Sequence, residues 1–116
     1  MSGMTYIYAV TKPLAWLHGE VRSPPFSREA RLEAGELLRR LQEGELLQLP
    51  HSRPMPEIGS GCHELRVTDQ TTPHRIFYAI RPEAIVILGV LEKKTRTTPR
   101  GVLRACAARL RRFEEA

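Results

Sequence analysis

Residues 84–91 read Ala-Ile-Val-Ile-Leu-Gly-Val-Leu, eight consecutive positions without a polar side chain. In an extended chain successive side chains point to opposite faces, so a run apolar at every position needs cover on both sides. The run is therefore expected to be a central strand, and the rest of the chain must supply two covering layers. It is also the longest apolar run in the sequence, too short to cross a bilayer as a helix.

The segments before it alternate. In Cys62–Thr68 parity puts His63, Leu65 and Val67 on one face and Glu64, Arg66 and Thr68 on the other, which predicts a strand with one buried and one polar face. The link Asp69–Pro73 suits a hairpin into His74–Ile80, where Ile76, Tyr78 and Ile80 oppose Arg75, Phe77 and Ala79. Arg81-Pro82-Glu83 then connects to the apolar run, giving three antiparallel strands in a meander.

Upstream, Tyr6–Val10 reads as an edge strand or an ordered tail, and Pro13–His18 as a short strand closed by Gly19. Ser23-Pro24-Pro25 has the composition of a helix start. Ala30, Ala34, Leu37, Leu38 and Leu41 then mark one helical face, and Gly44 ends it. Residues 45–49 fit either a second short helix or a turn. Residues 49–61 carry three prolines and two glycines and are expected to form a connecting loop. Thr98-Pro99 opens a final helix, with Thr98 as cap, a stripe of Val102, Leu103, Cys106, Leu110 and Phe113, and Arg100, Arg104, Arg109, Arg111 and Arg112 off it. The sum is an α+β domain over residues 12–116, preceded by an extension of residues 1–11.

The net charge of +5 is unevenly spread: residues 93–116 hold eight Lys or Arg against two Glu, and the remainder of the chain is close to neutral. A local basic field of this kind attracts polyanions, nucleic acid first; the plainer reading is a solvated cationic helix. Glu64 and Arg66 share a strand face, and the hairpin brings Arg75 opposite them. On residues alone this is a cross-strand ion pair. Arg75 also shares its face with Phe77, and a cation held among apolar neighbours calls for a structural partner or an anionic ligand. Lys93-Lys94-Thr95-Arg96 follows directly on the central strand, so its cations and the hydroxyls of Thr95, Thr97 and Thr98 are suited to phosphate. His51 and Arg53, in the loop, either reach an anion or are merely solvated. Of the histidines His74, beside Arg75, is the better acid or base candidate, and His63 reads as a core residue. The histidine and cysteine spacings match no metal motif, and neither a glycine-rich phosphate loop nor a serine nucleophile elbow occurs. Cys62 and Cys106 read as small buried residues of a reducing compartment, which with the absence of a signal peptide predicts a cytoplasmic protein.

The stretches K-P-L-A-W-L-H-G-E, S-P-P-F-S-R-E-A-R, H-S-R-P-M-P, C-H-E-L-R, R-I-F-Y-A-I and K-K-T-R-T-T-P resemble the phage-derived Gp49-like proteins of the HigB branch of the RelE/ParE toxin superfamily. The resemblance implies a RelE-like fold with two N-terminal helices on an antiparallel sheet and a final helix beside it. It implies the toxin half of a type II toxin–antitoxin pair, a helix-turn-helix antitoxin as partner, and cleavage of messenger RNA on the ribosome without metal or cofactor. ParE-like members share the fold and act on DNA gyrase, so a gyrase inhibitor or a non-catalytic antitoxin-binding relic is the alternative. By position the family's cations fall on Arg66, Arg75, Lys93 and Lys94. RelE itself has lysines where this chain has Cys62-His63-Glu64, and the final helix lacks a tyrosine. Glu64 or His74 is then the candidate base and Tyr78 or Lys93 the candidate acid, with Arg96, Arg100, Arg104, Arg109, Arg111 and Arg112 holding the RNA backbone.

Overall fold

A computed structural model describes residues 11–19, 26–68, 72–92 and 96–116. The Tyr6–Val10 segment, Ser23-Pro24-Pro25 and Lys93-Lys94-Thr95 lie outside the described residues. Among the described residues five strands and two helices follow in the order β1 (Leu14–Trp16), α1 (Arg28–Gln42), β2 (Ser52–Pro54), β3 (Cys62–Thr68), β4 (Pro73–Ile80), β5 (Ile85–Glu92) and α2 (Arg100–Glu115).

The apolar run becomes β5, which lies between β1 and β4 in a single sheet of order β1-β5-β4-β3-β2. Its alternate residues enter two separate cores. Ile85 and Ile87 join Leu65, Val67, Ile76 and Tyr78 under α1, whose Phe26 end and Ala30, Ala34, Leu37, Leu38 and Leu41 stripe close that face. Val86 and Leu88 join Cys62, Phe77 and Ala79 on the other side, under Cys106 and Leu110 of α2. The helices thus cover opposite faces, and among the described residues one N-terminal helix stands in place of the expected pair; residues 45–48 are irregular chain.

The sheet is mixed. Strands β2 to β5 are antiparallel neighbours in chain order, and β1 adds to β5 in parallel, with Ala15 opposite Val86. A parallel partner needs a long return path, which the chain supplies by running through α1 and β2 to β4 before β5 is laid down. Strand β2 arises inside the stretch expected to be loop. Its Pro54 is tolerated because β2 is the sheet edge and that residue's missing N–H breaks no inner ladder.

Local chemistry explains the helix boundaries. Ser27 caps α1, its Oγ accepting from the Ala30 amide at 3.1 Å. For α2 the cap position is Pro99 and no side chain caps it, so the capping role expected of Thr98 is not taken up. The register of β4 against β5 slips between Phe77, opposite Gly89, and Tyr78, opposite Ile87. Leu88 is the extra residue of this bulge. Its carbonyl accepts from Arg109 Nη1 at 2.7 Å, so α2 satisfies the group the ladder leaves over. Gly89 makes room for that contact: a Cβ there would stand 3.1 Å from Cys106 Sγ and 3.4 Å from Arg109 Nη1. Arg81 ties the far end of α2 to the β4–β5 turn, donating from Nε to Glu114 Oε2 at 2.8 Å. Among the described residues no helix is long and apolar enough to cross a membrane.

Candidate functional site: an arginine cluster on a buried glutamate

Parity sends Cys62, Glu64 and Arg66 of β3 to the α2 side, together with Arg75, Phe77 and Ala79 of β4. Register then sets the neighbours: Arg66 stands opposite Arg75, Glu64 opposite Phe77, and on the other flank Arg53 of β2 stands opposite Glu64. Two directly opposed arginines would repel each other across the ladder. The Glu64 carboxylate offsets this. Its Oε2 accepts from Arg66 Nε at 3.2 Å and lies 3.6 Å from Arg75 Nε and 3.8 Å from Arg53 Nε.

Glu64 has no solvent exposure, so the face expected to be polar and open is closed at its carboxylate. The arginine side chains are 44% (Arg53), 32% (Arg66) and 14% (Arg75) exposed. The cluster is thus a buried anion with cations fanning out to solvent, and the cations outnumber it. Burial pushes the Arg75 pKa below the usual arginine value, with Glu64 opposing that and Arg66 and Arg53 adding to it. A guanidinium stays charged under such pressure. Arg75 Nη1 also donates to the His74 carbonyl at 3.0 Å, which fixes its direction. Fixed guanidiniums with spare donors suit an oxyanion, because their alignment is already made before the ligand arrives.

Beyond Arg53 the cluster continues into a cleft of about 220 Å³, bounded on its far side by Arg96, Thr97 and Thr98 of the turn that leads into α2.

The other candidates go elsewhere. His74 and Tyr78 have the parity of Ile76 and lie under α1, on the opposite face of the sheet from the arginines. His74 is 1% exposed and stacks on Phe26 with ring centroids 4.2 Å apart. The Tyr78 hydroxyl is buried against Ser52 Oγ at 2.6 Å; burial pushes its pKa up and the Ser52 bond pulls the other way. His63 stacks on Tyr78 and burial pushes its pKa down, but it is only half-buried, so it is not the core residue expected from the sequence. Lys93 and Lys94 lie outside the described residues. On α2, Arg100, Arg104, Arg111 and Arg112 are exposed, whereas Arg109 is half-buried and bonded to the Leu88 carbonyl. Arg109 therefore holds the helix to the sheet, a correction to its expected place among the free cations.

Arg53 is the member that sequence reasoning left undecided. No local pattern marks it, because its strand, Ser52–Pro54, is only three residues long within a proline-rich stretch. Without the β2–β3 pairing, nothing brings it to Glu64. Among the described residues no group of three or more histidine, cysteine, aspartate or glutamate side chains is placed to hold a metal ion.

No curated protein matches this chain. Residues 25–111, about three quarters of the sequence, match the family described as Phage derived protein Gp49-like (DUF891). That span takes in α1, the strands of the arginine cluster and most of α2, and the chain belongs to the Gp49-like family.

Proposed function

We propose that this protein is the toxin of a type II toxin–antitoxin pair and that it cleaves messenger RNA on the ribosome without a metal. Membership of a family related to toxin–antitoxin systems supports the first part. The observation that carries the second is the cluster of Arg53, Arg66 and Arg75 on Glu64, a rigid cationic site at the end of a sheet face. In this reading the ribose 2′-oxygen attacks the neighbouring phosphorus, the bond to the 5′-oxygen breaks, and the products carry a 2′,3′-cyclic phosphate and a 5′-hydroxyl. Charge builds on the phosphoryl oxygens in the transition state, and Arg66, Arg75 and Lys94 stabilise it there. Glu64 acts as the positioning residue of the cluster. An enclosed carboxylate among three cations is poorly placed to take a proton from ribose. His74 and Tyr78 sit across the sheet, so in this reading the 2′-hydroxyl proton passes to solvent water, and Lys93 is kept from the sequence as the acid that protonates the leaving 5′-oxygen. The antitoxin, a helix-turn-helix protein, would silence the toxin in the cell that makes it.

That same separation favours a second reading, in which the cluster binds and does not cut, as in a gyrase inhibitor or an antitoxin-binding relic. Induced expression in bacteria divides the readings: cleavage stops translation, gyrase poisoning damages DNA and causes filamentation, and a relic does neither. End-group analysis after incubation with translating ribosomes tests the chemistry, and 3′-hydroxyl ends would rule it out. Arg75→Ala, checked for folding, should lose about 3–4 kcal/mol of transition-state stabilisation, or about a hundredfold to a thousandfold in single-turnover rate, with little change in ribosome affinity.

A further inference from the structure

The cleft beside the cluster has a lining that a phosphate site does not need. Its buried floor is Met55, 1% exposed, joined by the half-buried Leu103 of α2. Its walls carry Arg53 and Arg96, and Glu57 also faces it. The two arginines and the hydroxyls of Thr97 and Thr98 offer donors to an anion, but the Glu57 carboxylate works against a second phosphate and the Met55–Leu103 floor gives it nothing. The same lining suits a flat heterocycle: thioether and leucine beneath, guanidinium planes at the sides, and an acceptor at the rim. Arg53 is held from two directions, its Nη2 3.3 Å from Met55 Sδ and its Nε 3.8 Å from Glu64 Oε2. Because Arg53 belongs to both the cluster and the cleft, a ligand that leaves a phosphate at the cluster has its next residue at the cleft mouth. A volume of about 220 Å³ is enough for one base.

We infer that this cleft is a base-binding subsite, seating one unpaired RNA base next to the phosphate held by the cluster, with Glu57 favouring bases that carry an exocyclic amine. The inference rests on the RNA reading above and adds to it a binding pocket with a chemical preference. On the pairing edge adenine, cytosine and guanine offer an exocyclic amine, whereas uracil has only its ring N3–H between two carbonyl oxygens that a carboxylate repels, so the carboxylate favours the amine-bearing bases over uracil.

The test uses the full chain and short fluorescent single-stranded RNAs, oligo(A), oligo(C), oligo(U) and a ribose-phosphate oligomer without bases, at low salt. Affinity is read by anisotropy. Oligo(A) and oligo(C) should bind about tenfold or more tighter than the baseless oligomer, the scale of one stacked base. Oligo(U) should fall between. Glu57 is exposed, so Glu57→Gln should fold normally and should bring oligo(A) and oligo(C) down towards oligo(U). Arg96→Ala should weaken every base-bearing oligomer more than the baseless one. If all four oligomers bind alike, the base subsite is wrong while phosphate binding stands. If Glu57→Gln leaves the ranking intact, the role of Glu57 is wrong. If the wild type binds none of them, both the subsite and the RNA reading fall.

Discussion

Under α1 the sheet presents Leu65, Val67, Ile76, Tyr78, Ile85 and Ile87, and among them it buries the Tyr78–Ser52 hydroxyl pair and the His74 ring stacked on Phe26. Under α2 the same strands present Phe77, Ala79, Val86 and Leu88 at one end and Glu64, Arg66 and Arg75 at the other. A hydroxyl pair is neutral and satisfies itself, so an apolar helix can close over it at small cost. A carboxylate is different. Enclosing it is tolerated only when cations pair with it, and those cations must keep a path to water. The α2 face therefore cannot be sealed along its whole length, and its unsealed end is where an anion can bind. The α1 face is a core; the α2 face is part core and part site.

The largest effect that would break this contrast is at Glu64. Glu64→Gln keeps the shape and removes the charge that holds opposed Arg66 and Arg75 together. Stability measured in denaturant should fall by about 3 kcal/mol, the low end for breaking a buried pair because the arginine tips reach solvent. Cleavage should be lost as well. A neutral or stabilising outcome would mean that the glutamate is not what organises the face.

Next in size is a test of how well the core half of the α2 face is sealed. Burial pushes the Cys106 thiol up from its ordinary 9.0 to about 11, so the unfolded chain loses this proton first. The associated stability is fully present below pH 9 and is lost as pH rises to about 11, at most about 2–3 kcal/mol. Cys62, on the same face, shifts in the same direction. Cys106→Ala should flatten the alkaline fall in a denaturation series from pH 8 to pH 11. An equal slope in that variant would show that the thiol is not sealed under α2.

The smallest expected effects sharpen the division of labour along α2. Arg109→Ala leaves the Leu88 carbonyl without its donor and should cost about 1–2 kcal/mol of stability. Its effect on the salt dependence of RNA binding should be negligible. Exposed Arg104, Arg111 and Arg112 should behave the other way, each substitution to Ala lowering the salt slope by about 0.7 with stability almost unchanged. Both quantities come from the same protein preparations by denaturant titration and by anisotropy across a salt series. A reversal between Arg109 and Arg112 would undo the assignment.

Legibility followed the range of the interactions. The stripe of α1 and that of α2 were readable because 3.6-residue periodicity is written locally. The alternation of β3 and β4 was readable too, and with it the meeting of Glu64, Arg66 and Arg75, since a hairpin makes neighbours of residues close in sequence. Strand β2 was hidden because three prolines and two glycines describe an edge strand and a loop equally well, and only pairing with β3 distinguishes them. Arg53 stayed undecided for the same reason. His74 looked catalytic because it adjoins Arg75 in sequence, yet adjacent residues on a strand face opposite ways.

By itself the sequence determined the α+β class, the strand covered on both faces, two amphipathic helices, and a cationic C-terminal quarter, all set by local pattern and composition. Tertiary structure decided the rest: helices on opposite faces, β1 parallel to β5, the closure of Glu64, and the split of α2 arginines into one that binds the sheet and several that face water. Those outcomes depend on which strands become neighbours across long stretches of chain. The energy that selects them comes from burying both faces of β5 and from pairing a charge that cannot be enclosed alone, and neither term is present in any one segment.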